Sequence, residues 1–75
     1  MMILSQNEDT MVNIDRVFCL RINKTHAEQK GFVINADKET LGIYDSEERA
    51  KKVLKDIYRN LRLENFSFTY EMPKK

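Results

Sequence analysis

Four basic residues, Lys51, Lys55, Arg59 and Arg62, stand at i, i+4, i+8 and i+11, the spacing that lines side chains along one side of an α-helix. Arg49 and Lys52 fall to one side of that ridge. Ammonium and guanidinium groups in a row offer charge-assisted hydrogen bonds to phosphate or carboxylate, so the ridge is the chain's candidate anion-binding surface. The competing reading is a solvated helix face. Glu47 lies four residues before Lys51, Glu48 four before Lys52 and Asp56 three before Arg59, spacings at which opposite charges support an exposed helix. Residues 46–63 carry six Lys/Arg against three Asp/Glu, and residues 1–45 carry five against seven. The charge is therefore gathered on one element although the net charge is only +1. A duplex-DNA binder of this size is usually far more basic than a pI near 7.8, so duplex DNA is not an expected partner. A small anionic ligand or an acidic protein patch asks for less charge. Weak binding of RNA or single-stranded nucleic acid is a further alternative.

The other reactive side chains have ordinary local explanations. His26 is the only histidine, in the polar stretch "NKTHAEQKG", with no cysteine or serine near it in sequence; it reads as a surface residue rather than half of a nucleophile pair. Cys19, the only cysteine, sits in "VFCLRI" and reads as a small buried apolar residue. Glu8 and Asp9 lie in a turn and Glu47 and Glu48 at a helix start, so neither pair resembles an acid/base couple. No Cys/His spacing suggests a metal site, and two glycines, Gly31 and Gly42, make no phosphate-binding loop. No residue is assigned a catalytic role, and no cofactor or metal is expected. The chain reads as a non-enzyme.

Apolar periodicity defines the elements that must carry these groups. "MILS" and "MVNI" flank "QNEDT", whose Asn/Asp chemistry suits a hairpin turn. "RVFCLRI", residues 16–22, predicts a central strand. "FVIN" and "TLGIY" predict two more around the tight reversal "ADKE", with Leu41 and Ile43 on one face and Gly42 and Tyr44 on the other. From Ser46 the period changes. Ser46 is a suitable N-cap, with Glu47 and Glu48 in the first turn. Ala50, Val53, Leu54, Ile57, Tyr58 and Leu61 then form one apolar stripe that must cover a sheet. After Leu63, "FSFTYEM" alternates strictly and predicts a last strand, which Pro73 ends, leaving a mobile "KK" tail. The expected fold is α+β: a mostly antiparallel sheet of about five to six short strands packed against one amphipathic helix at about residues 46–63. The last strand follows the helix, and its connection permits parallel or antiparallel pairing.

The 75 residues form one domain, residues 1–75. A chain this small buries only roughly 60% of the surface its unfolded form exposes, so a homo-oligomer is expected to supplement its stability. Sheet edges with few prolines to block them are a second candidate contact surface. Tyr44 is available for an interface there, while Tyr58 and Tyr70 are assigned to packing. The lone cysteine suits a reducing cytoplasm. The start of the chain lacks a basic region, and no run approaches the roughly 18 apolar residues that span a bilayer, so neither secretion nor membrane insertion is expected.

The opening "ILSQNEDTMVNID", the centre "LGIYDSEERAKKVLKDI" and the ending "YEMP" resemble a group of small proteins encoded in Firmicute genomes and their phages and prophages. That group shares an S-Q-D opening, an LG-x-Y strand leading into EERA-x-x-VL, and a Y-x-MP close. The likeness covers about half the chain and departs at Asn7, where an aspartate is the rule. It implies a bacterial or phage origin and carries over no catalytic residue. The expected function is a cytoplasmic binding protein acting through protein–protein contact, including inhibition of a host system. The alternative is an oligomer that sequesters a small anionic or nucleotide ligand.

Overall fold

The polar segment between the first two apolar runs closes a hairpin joining β1 (Met2–Leu4) to β2 (Met11–Asn13). The computed structural model describes residues 1–25, 31–62 and 69–75. In the turn the Ser5 amide donates to the Thr10 carbonyl at 2.8 Å, and the Ser5 hydroxyl donates to Asp9 Oδ1 at 2.9 Å while accepting from the Thr10 amide. Ser5 is buried, and these bonds are what make its burial tolerable. Glu8 takes the left-handed conformation, φ 61°, needed to reverse the chain without a glycine.

The strand expected at residues 16–22 begins later and lies at an edge. Asn13 caps a short 3-10 turn, Ile14–Arg16, by accepting from the Asp15 amide at 3.0 Å. β3 then runs Leu20–Lys24, pairing with β4 (Phe32–Ala36). Between turn and strand, the Asp37 carboxylate accepts from the amides of Phe18 at 3.2 Å and Cys19 at 3.0 Å, and the Asp37 amide donates to the Cys19 carbonyl. These bonds hold the segment away from the core. Phe18 is 98% exposed and Cys19 is exposed, which corrects the expectation of a buried thiol.

β4 is central in its sheet, ordered β3-β4-β5, and buries Ile34 and Ala36. β5 (Glu39–Tyr44) pairs with it around a bulge: Ile34 faces Gly42 but Asn35 faces Thr40, so Leu41 is the extra residue. A bulge breaks the alternation of faces. Leu41 and Tyr44 are both buried as a result, whereas Ile43 is half-buried. Tyr44, read above as available for an interface, is instead 2% exposed, and its hydroxyl donates to the Pro73 carbonyl at 2.8 Å.

Helix α1 (Glu47–Arg62) starts where the capping chemistry places it: Ser46 Oγ accepts from the Arg49 amide at 3.1 Å. Ala50, Val53 and Ile57 bury against Ile34, Leu41 and Tyr44. Ile3 and Tyr70 join the same core from the second sheet, ordered β2-β1-β6, in which β6 is Thr69–Glu71, and Met72 joins it just beyond β6. Among the described residues, six strands thus fall in two sheets over one core. Three pairings are antiparallel and β1–β6 is parallel, with Ile3 opposite Tyr70. The apolar stripe of α1 is wider than the face it buries, for Tyr58 and Leu61 are exposed rather than packed. The terminal lysines make exposed contacts with the β1–β2 turn and α1. Lys74 Nζ donates to the Gln6 carbonyl at 2.8 Å and pairs with Glu8 at 3.2 Å, and the Lys75 carbonyl accepts from Arg49 Nε.

Candidate functional site

A helix turns about 100° per residue, so each i, i+4 step winds about 40° past a full turn and a row of such residues fans around the axis. That geometry divides the basic ridge. Lys51 pairs with Glu47 at 3.0 Å, and the Arg62 guanidinium lies 5.8 Å from the centre of the Tyr58 ring. Lys55 and Arg59 turn toward β6, where they meet Arg49 and Lys52, the two cations that the spacing had set to one side. Of the three charge pairs anticipated along the helix, only Glu47–Lys51 forms an ion pair among the described residues.

Two depressions result, with Lys55 between them. The first is a groove of about 330 Å³ between α1 and β6, rimmed by Arg49, Lys52, Lys55 and Arg59. Asp56 lies within it, and the Tyr70 hydroxyl donates to Asp56 Oδ2 at 2.8 Å. Burial raises the Tyr70 phenol above its ordinary range, and the hydrogen bond to the Asp56 carboxylate raises it further. Arg49 is held in place on this rim, with its guanidinium 6.0 Å from the Tyr44 ring centre and its Nε bonded to the Lys75 carbonyl. The Tyr44 phenol is pushed up to about 12 by burial, partly offset by the Arg49 charge. The Asp56–Tyr70 bond had no signal in the sequence, because it depends on where β6 docks.

The second depression, about 380 Å³, is apolar: Leu20 of β3 and Leu54, Tyr58 and Leu61 of α1 line it beside Lys55. Tyr58 is 59% and Leu61 40% exposed. Lys51 and Arg62 flank it, one turn from Leu54 and Tyr58 respectively. A third, polar cleft of about 480 Å³ lies between the β1–β2 turn and β5. Several of its polar groups, notably those of Ser5, Gln6, Asp9 and Thr10, are already bonded to one another or to neighbouring backbone.

Of the carboxylate pairs, Glu47 acts locally on Lys51, and Glu8 pairs across the fold with Lys74 near the chain end. His26 lies outside the described residues. Among the described residues no three His, Cys, Asp or Glu side chains converge as metal ligands, and no helix is long and apolar enough to cross a membrane. The chain matches no protein-family model, no curated protein and no solved structure.

Proposed function

We propose that this protein works by binding rather than by turnover, docking an acidic protein partner on the outer face of α1. The observation that carries the reading is the apolar depression of Leu20, Leu54, Tyr58 and Leu61, open beside Lys55, with Lys51 and Arg62 one turn along the helix. Contiguous exposed apolar surface with a polar rim marks contact sites, and an aromatic residue at its centre is a common anchor. The rim selects the partner: an apolar side chain fills the depression while carboxylates beside it meet the cations.

A second copy of the chain fits this face poorly, because a two-fold axis through it sets like charges against one another. Self-association would instead use the edges of β2, β3 and β6, each terminal in its sheet among the described residues. The exposed Cys19 thiol suits a reducing cytoplasm. The likeness to Firmicute and phage proteins makes a host component a natural partner.

Selection from a displayed random-peptide library tests the reading. The expected winners carry an apolar anchor flanked by Asp or Glu, and Tyr58→Ala weakens them by roughly tenfold or more, as loss of a central anchor does. Because Tyr58 is exposed, that variant should fold normally. Winners without acidic bias, or a labelled oligouridylate that competes on the same face, would count against it.

A further inference from the structure

We propose that the groove between α1 and β6 is a separate site for a small phosphorylated ligand that also carries a hydroxyl or amino donor. Lys52, Lys55 and Arg59 rim a single depression and form no ion pair among the described residues. Lys52–Lys55 and Lys55–Arg59 stand three and four residues apart, spacings at which like charges destabilise a helix. An anion held between them removes that repulsion, and Arg49, fixed by Tyr44 and the Lys75 carbonyl, adds a preoriented guanidinium. Guanidinium groups match phosphate oxygens in pairs, which favours phosphate over a simple point charge.

Asp56 gives the site its second requirement. Its Oδ2 accepts from Tyr70, while Oδ1 has no hydrogen-bond partner among the described residues. A carboxylate among cations repels a bare polyanion but accepts from a donor next to the phosphate. A groove of about 330 Å³ lies at the small end of ligand-binding cavities, which run from roughly 300 to 1,000 Å³. A sugar phosphate or a nucleotide combines these properties.

Isothermal titration calorimetry at low ionic strength, with ADP, pyrophosphate and inorganic phosphate as probes, tests the proposal. The expected result is saturable one-to-one binding of ADP, tighter than pyrophosphate and weakened by added salt. Lys52→Gln with Arg59→Gln should lower ADP affinity by roughly tenfold or more, since two charge-assisted bonds are lost; Lys38→Gln, at the β4–β5 turn, should not. Asp56→Asn should strengthen pyrophosphate binding and narrow the preference for ADP, with the fold checked by thermal melting. No saturable binding of any probe in the millimolar range overturns the site, as does ADP affinity indifferent to the double variant. Pyrophosphate bound more tightly than ADP by the unaltered protein overturns the role of Asp56. Peptide docking on the apolar face uses neither Lys52 nor Arg59, so the two proposals fail independently.

Discussion

The side-chain amide of Gln6 occupies the free edge of β5 at Ile43 as a neighbouring peptide group would. Gln6 Oε1 accepts from the Ile43 amide at 2.8 Å, and Nε2 donates to the Ile43 carbonyl at 3.1 Å and the Lys74 carbonyl at 2.9 Å. The Gln6 backbone amide donates to the Leu41 carbonyl at 2.7 Å. One residue of the β1–β2 turn thus joins the two sheets and the chain end. Gln6→Ala leaves partly buried backbone groups without partners and should destabilise the fold by about 1–3 kcal/mol. Chemical denaturation would measure it, and an unchanged midpoint would show that water replaces the amide.

Gly42 is required by the path of Tyr44. A Cβ at residue 42 would lie 3.1 Å from both Cε2 and the hydroxyl oxygen of Tyr44 and 3.2 Å from Gln6 Cβ. Tyr44 cannot swing aside easily, because its ring is in the core and its hydroxyl holds the Pro73 carbonyl. Gly42→Ala should therefore cost about 1–3 kcal/mol by overpacking. The reference is Glu39→Ala on the exposed part of the same strand; equal melting temperatures for the two variants would refute the crowding.

The helix cap is the most local of these contributions. Ser46 Oγ satisfies the Arg49 amide, which has no partner within the helix. Ser46→Ala should lower stability by about 1 kcal/mol, whereas Ser46→Asp should largely retain it, because aspartate caps as well as serine. Helicity by circular dichroism during thermal melting distinguishes the two.

What was legible in the sequence was what depends on neighbours along the chain. The Ser46 cap, the Ala50–Val53–Ile57 spacing and the "QNEDT" hairpin are local patterns, and each reappears in the structure. The departures from local pattern have long-range causes. Cys19 and Phe18 sit in a strand-like run, but Asp37, eighteen and nineteen residues away, takes their amides and holds them outside the core. Tyr44 and Tyr58 exchange roles, because a bulge at Leu41 turns one inward and the helix buries a narrower face than its apolar stripe. The ridge was visible in the spacing of Lys51, Lys55, Arg59 and Arg62. Which depression each cation borders was not, since the fanning of the row follows from the helix period but the depressions themselves depend on the docking of β3 and β6 on either side of α1.

Tyr44 and Tyr70 predict how the fold responds to alkali. Both phenols are raised in the folded protein by burial, Tyr44 to about 12, and the hydrogen bond to Asp56 raises Tyr70 further. In the unfolded chain each ionises near its ordinary value of about 10. Between these values the unfolded state releases protons that the folded state retains, so rising pH favours unfolding. The contribution of the two phenols to stability should be complete below about pH 10 and fall away as the pH rises through 12. Tyr70→Phe removes one of these groups together with the hydrogen bond to Asp56. Its stability at neutral pH should be lower by about 1.5–3 kcal/mol, the worth of a hydrogen bond to a charged acceptor, and its alkaline decline shallower. Urea midpoints measured across alkaline pH would test both signs, and parallel declines for the two proteins would exclude Tyr70 as a source of the pH dependence.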